Sequence, residues 1–281
     1  MARNTHKSTC NRQISIQIKK QPRGAVFYLY ILYLLFQTKL GRQLLCTLQS
    51  QVNIGADIDS TRRSIALAKE YDFIYAAAGV HPSDVDCLDE RSFQWLTWAV
   101  EESVEEKGKI VAVGEIGLDY YWEKDQERRN RQKFWFERQM ELARSTGLPV
   151  VIHSREAAKD TWDMMQALKC EDIGGVIHCY SYAVEMARNY LNKGFYLGIG
   201  GVVTYKNARA LKEVVQYAPL DRIVLETDCP YLTPEPNRGK RNSSLNLPYV
   251  VDAIAQLKGV SAEEVEAITW DNGVKMYRMN K

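Results

Sequence analysis

Short apolar runs, each ending in a polar residue and followed by a stretch of helical period, repeat along most of the chain. Six are plain, at 74–80, 110–116, 150–153, 176–178, 195–199 and 223–225, and they start 36, 40, 26, 19 and 28 residues apart. Each is too short for a buried helix and rich in Val and Ile, the pattern of a parallel strand covered on both faces. In the stretches that follow, Ala208, Leu211, Val214 and Val215 fall on one helix face, and Val250, Val251, Ile254 and Leu257 do so again. Ser261 and Glu264 have the spacing of a capping box that opens the last helix. Strand–helix alternation at this spacing predicts an α/β fold with a parallel sheet, and six plain strands with room for two more predict a (β/α)-barrel. An open doubly wound sheet is the alternative, but no Gly-rich phosphate loop supports it.

The first fifty residues break the pattern. Residues 25–36 (AVFYLYILYLLF) form a twelve-residue apolar run after a basic stretch. A membrane-spanning helix needs about 20 such residues, and no Ala-x-Ala cleavage site follows, so no stable membrane association is expected. The run is expected to pack on the body or to be incorrect coding sequence. Charge divides at the same place: residues 1–56 carry eight Lys or Arg and no acid, which leaves 29 basic and 35 acidic residues for the remainder, a balance of −6. An argument from overall basicity to nucleic-acid binding therefore fails for the body. The full length of 281 residues suits one barrel of about 250. The six cysteines form no C-x-x-C pair, and they read as reduced thiols of a cytoplasmic protein.

In a barrel the chemistry sits at the carboxyl ends of the strands. Here those ends read Val-Gly-Glu115, Val-Ile-His153, Val-Ile-His178 and Leu-Glu226-Thr-Asp228. Singly, such a His is more often a hydrogen-bonded core residue and such a Glu a solvated charge. Together, Glu115, His153, His178 and Asp228 recur at one position of the repeat, and two imidazoles with two carboxylates suit a divalent ion.

These motifs carry a resemblance. V-G-E-I-G-L-D-Y (113–120), V-I-H-S-R-E-A (151–157), G-V-I-H-C-Y-S (175–181), L-E-T-D-C-P-Y-L-T-P (225–234), R-G-K-R-N (238–242) and G-V-H-P (79–82) resemble, in order, the TatD family of metal-dependent deoxyribonucleases. The likeness runs from about Val52 to the C-terminus. It implies a distorted TIM barrel of the amidohydrolase type, a site for two divalent ions, and DNA as substrate. Carried over by position, Glu115 would bridge the metals and His153 and His178 would hold the second. Asp228 would hold the first and act as general base, which with Glu115 gives the catalytic pair.

His81, Arg155, Arg241 and Asn242 lie in the matching motifs and are candidates for substrate binding, with loop-fixing hydrogen bonds as the alternative. Tyr120, Tyr121 and Trp122 could stack on bases or cap the barrel. Glu226 is expected to face away from the site and serve structure, as are Cys179 and Cys229. The family's His-x-His pair at the end of the first strand is missing. Asn4-Thr5-His6-Lys7-Ser8 keeps one His with no strand before it. Residues 1–51 are accordingly expected to be a divergent segment outside the family pattern, and 52–281 the barrel. At most one tightly bound ion rather than two is expected, with weak or absent activity. A hydrolase of another ester or amide, or a non-catalytic relic, are the alternatives.

Overall fold

The structure is a computed structural model that describes residues 50–279. Residues 1–49, with the apolar run and His6, lie outside the described residues, as do Asn280 and Lys281.

Seven parallel strands form one sheet in sequential order: β1 (Gln51–Ile54), β2 (Ile74–Ala78), β3 (Ile110–Asp119), β4 (Val150–Arg155), β5 (Gly175–Ile177), β6 (Tyr196–Ile199) and β7 (Ile223–Leu225). All six runs read from the sequence are strands. The seventh, β1, opens the part of the chain that resembles the family. Among the described residues eight helices alternate with or follow the strands: α1 (Ile58–Glu70), α2 (Glu90–Glu105), α3 (Gln126–Thr146), α4 (Ala158–Ala167), α5 (Val184–Asn192), α6 (Arg209–Tyr217), α7 (Leu247–Lys258) and α8 (Ala262–Met276). Asp57 and Asp89 cap α1 and α2 in reciprocal pairs with Ser60 and Ser92. Ser261 caps α8 by accepting the Glu264 amide. Each cap stabilises its helix by about 1 kcal/mol.

The sheet curls, and side-chain alternation sorts its residues into two apolar layers. Outward residues such as Val113, Ile116, Leu118, Ile152, Ile177 and Leu197 meet the helices in one large core. Inward residues Ala77, Ala112, Val151, Val176, Tyr196 and Val224 form a second cluster, with Val52 and Ile54 of β1 packed against it. Met276 and Tyr277, at the end of α8, fill this interior from below. Asn272 of α8 donates to the Leu220 and Ile223 carbonyls, tying the last helix to the start of β7. Among the described residues no pairing joins β7 to β1, and their seven strands form a curled half-barrel.

Candidate metal centre

Continuing the inward alternation toward the carboxyl ends changes the chemistry of the interior. Two residues beyond Val151 on β4 comes His153, and two beyond Val176 comes His178 just after β5. Both therefore face inward, above the apolar layer.

Glu115 reaches the same place by an irregularity. On β3, Val113 faces outward, so Glu115 in regular pleat would face the helices. The register with β4 instead pairs Gly114 with Val151 and Ile116 with Ile152, which makes Glu115 the extra residue of a bulge. The bulge re-aims its side chain inward. Beyond it the alternation resumes, and Asp119 faces inward at the end of the strand. Gly117 makes the close approach of β3 to β4 possible. Its φ is +141°, and a Cβ there would sit 2.0 Å from the His153 carbonyl oxygen.

These side chains meet. His153 Nδ1 lies 2.8 Å from Glu115 Oε1, and its Nε2 lies 3.1 Å from Asp119 Oδ2. His178 Nδ1 lies 2.8 Å from Glu226 Oε2, while its Nε2 lies 3.4 Å from Asp228 Oδ1 and 3.8 Å from Glu115 Oε1. His81 Nε2 is 3.8 Å from Glu115 Oε1, and its ring meets His153 edge-on at 4.3 Å between centroids. Ligand-type atoms of His81, Glu115 and His153 all lie within 4.8 Å of one another. Glu115, His153, His178 and Asp228, the four residues singled out from the sequence, thus come together at one end of the sheet.

Glu226 departs from the expectation. Val224 faces inward, and a residue two further on returns to the same face, so Glu226 points into the site. One of its oxygens accepts from the Cys179 amide at 2.8 Å and the other meets His178. Gly198 on β6 leaves it room, since a Cβ there would lie 2.1 Å from Glu226 Oε2. Asp119 is the other residue that the sequence reading passed over. It is buried, and the signal was present in its strand-end position.

Two glutamines of α3 hold the loops that carry this chemistry. Gln132 exchanges hydrogen bonds with the Asp119 backbone at 3.0 and 3.2 Å, and Gln139 does the same for Val80 at 2.7 and 3.2 Å. They complete the backbone pairing that β2 and β3 lose at their ends.

Charge is arranged in mutual dependence. Burial opposes the charge of Glu115, but His178, His81 and His153 together hold its carboxyl well below the usual range. Burial likewise opposes a charged His153, yet hydrogen bonds to Asp119 and Glu115 push it up to about 9. His178 rises well above the usual value against its burial, through Glu226, Glu115 and Asp228. His81 goes the other way: burial and the neighbouring His153 lower it to about 4.

A divalent ion fits this donor set. The hydrogen bond from His178 Nδ1 to Glu226 leaves Nε2, with its lone pair, facing Asp228 and Glu115, the arrangement in which a second carboxylate orients a metal-binding imidazole. His153 is held between Glu115 and Asp119 in the same way. Four carboxylates around these two rings call for positive charge, which protons or a cation can supply. His81 fits less well as a ligand. Its Nδ1 accepts from the Ser83 amide at 3.1 Å, so the neutral ring carries its proton on Nε2 and offers the site a donor rather than a lone pair.

The remaining candidates lie around the rim. Arg155, the last residue of β4, is exposed, and its guanidinium carbon lies 3.9 Å from the centre of the Tyr121 ring. Arg241 is exposed. Asn242 is buried, and its amide is spent within its own loop. It donates to the Thr227 and Tyr231 carbonyls and accepts from the Ser243 amide and Asn246. Loop fixing, not an open binding group, is what its geometry provides. Asp228 sits in that loop with φ +51°, a conformation Asp tolerates better than most residues.

Comparisons with known proteins identify the family and the fold. The family described as TatD related DNase matches residues 42–278. YabD of Bacillus subtilis, an uncharacterized metal-dependent hydrolase, is 43% identical over 229 residues, 82% of this chain and 87% of that protein. TatD of Mycobacterium tuberculosis, also called an uncharacterized metal-dependent hydrolase, is 36% identical over 230 residues, 80% of this chain and 84% of its own. Among solved structures, the TatD homologue YjjV of Escherichia coli superposes with a TM-score of 0.75 at 25% identity, covering 86% of this chain and 94% of that one. Organophosphorus hydrolase of Deinococcus radiodurans shares the fold, with a TM-score of 0.51 at 14% identity over 84% of this chain and 81% of its own. Among the described residues no helix is long and apolar enough to cross a membrane. The chain belongs to the TatD family of metal-dependent hydrolases.

Proposed function

We propose that this chain is a TatD-like deoxyribonuclease that hydrolyses phosphodiester bonds of DNA in the cytoplasm. The observation that carries the reading is the His178 ring, anchored on Glu226 through one nitrogen and facing Asp228 and Glu115 with the other. Glu115, His153, His178 and Asp228 would hold the divalent ion. When bound, such an ion supplies a water ionised near neutral pH and a positive charge for the phosphate.

The chain's own groups do the rest. Asp228, less buried than the other acids of the site, takes the proton of the attacking water. Asp119 and Glu226 keep the two imidazoles oriented. His81, neutral and with its proton on Nε2, donates toward the centre, where a phosphate oxygen would accept. Arg155 on the rim, with a planar guanidinium, suits a neighbouring phosphate.

The test is hydrolysis of a labelled single-stranded oligonucleotide by the purified chain with manganese, with and without a chelator. Cleavage that the chelator stops supports the reading. A chain that cleaves a simple carboxylic ester or amide under the same conditions but no oligonucleotide would overturn it.

A further inference from the structure

At the amino end of the sheet, where β4, β5 and β6 begin, lies a cavity of about 150 Å³. Its walls include Gly174, Gly175 and Gly194, which project no side chain into it, and Tyr196, Lys275 and Arg278. Among the described residues no Asp or Glu lines it.

Tyr196 is 9% exposed, and a tyrosine hydroxyl buried to that degree usually finds a partner. Those of Tyr120, Tyr180, Tyr182 and Tyr205 reach Asp160, the Ala183 carbonyl, Ser154 and the Thr233 carbonyl. The Tyr196 hydroxyl makes no hydrogen bond among the described residues. Unlike that of Tyr190 it is not sealed in the core, so it opens on the cavity that its side chain lines. The cations are unspent as well. Arg278 donates to the Gly147 and Ile173 carbonyls, which uses two of its five N–H donors and leaves three. Neither Arg278 nor Lys275 makes an ion pair among the described residues. Arg222 stands 5.2 Å over the Tyr196 ring and adds a third positive charge to this corner. Lys275 lies in the last turn of α8, where a cation suits the helix dipole. That accounts for one charge, but not for two cations without carboxylates and a free hydroxyl around one cavity. Like charges on one wall repel, and an anion between them removes the repulsion.

We propose that this cavity binds a small oxyanion of phosphate size, with Lys275 and Arg278 meeting its charge and the Tyr196 hydroxyl donating to one of its oxygens. Volume sets the class. Sites for drug-sized ligands start at about 300 Å³, so inorganic phosphate with a few waters fits here and an attached nucleoside does not. The site is separate from the metal centre. The apolar layer of Val151 and Val176 lies between them, and His153 stands three residues, about 10 Å, above the start of β4. A bound anion ties α8 to the starts of β5 and β6, and binding to the folded chain alone stabilises it.

The experiment titrates the full chain with inorganic phosphate, against chloride at matched ionic strength, by calorimetry and by the melting midpoint. The wild type is compared with Lys275→Gln, Lys275→Arg and Tyr196→Phe. A dissociation constant of about 1 mM or tighter is expected, with a midpoint that rises with phosphate. Lys275→Gln should weaken phosphate roughly 10- to 100-fold and Tyr196→Phe roughly 2- to 10-fold, while Lys275→Arg keeps most of the affinity. An excess of deoxyadenosine 5′-monophosphate should not displace the phosphate, and displacement would overturn the size class. A Lys275 that serves only the helix dipole would lower the midpoint in chloride and leave phosphate affinity unchanged in Lys275→Gln. That result, or no phosphate binding by the wild type, would overturn the site.

Discussion

The interior of the barrel has two layers that differ by a step of two residues along the same strand faces. Val151, Val176 and Val224 make the lower layer dry and close-packed, whereas His153, His178 and Glu226 make the upper one ionic. The backbone direction is the same in both, so pleat alone does not separate structure from chemistry. What differs is compensation. Every charge in the upper layer faces an opposite one, with a glycine or a bulge making room, while the lower layer offers only Ala, Val, Ile, Met and Tyr. Buried charge is tolerated where partners exist and nowhere else.

Moving a charge down one step should cost the fold most. Val224→Glu places a carboxylate in the lower layer without a partner, and a loss on the order of 3–5 kcal/mol is expected. Urea denaturation followed by circular dichroism measures it, and a midpoint equal to that of the wild type would show that the layers are not distinct.

The next effect is on chemistry rather than stability. Asp228→Asn keeps the shape but removes the proposed proton acceptor and weakens the proposed ligand. Hydrolysis should fall roughly 100- to 10,000-fold with an unchanged melting curve. Retention of most activity, in an assay that a chelator stops, would take Asp228 out of the proton-accepting role. Glu226→Gln is milder: the amide still fills the space beside Gly198 but no longer takes the His178 proton as a charged acceptor. Manganese affinity should drop about 10- to 100-fold by calorimetry, and undiminished affinity would make Glu226 a packing residue only.

The layers were legible to different degrees. Val-rich runs at regular intervals announced the sheet, and Val-Ile-His at 153 and 178 announced two inward-facing imidazoles, because those strands are regular and alternation carries through them. Glu115 could be placed from its motif but not from parity, since the bulge at 114–116 reverses its face. Glu226 was legible in principle from Val224, yet the end of β7 at Leu225 hid how far the alternation extends. Asp119 and the α3 glutamines depend on contacts between distant segments, 34 residues apart for Asp119 and His153, and no local period reports those. Asn242 looked like a binding residue for a related reason: its partners lie within its own loop, and a motif does not distinguish an amide turned inward from one turned out.

Asp84, half-buried and without an imidazole partner, titrates in the opposite direction. Whereas histidines lower Glu115, burial and the nearby Asp57 push Asp84 up to about 7. A folded-state value above the unfolded one means the folded chain holds this proton more tightly. The contribution is full below the ordinary carboxylate range and is lost as pH rises toward about 7. Asp84→Asn should therefore stabilise the chain at pH 8, by about 1–2 kcal/mol after discounting for solvent screening, and change little at pH 4. Denaturation at the two pH values checks this, and an equal effect at both would contradict it.

On the proposed function, the upper layer forms one cation site that Glu115 organises. Calorimetric titration of the chelator-treated chain with manganese tests it most directly. One tight ion per chain is expected, with a loss of roughly 100-fold or more in affinity for Glu115→Gln, in a variant that remains folded. Wild-type affinity in that variant, or two tight ions in the unaltered chain, would contradict it.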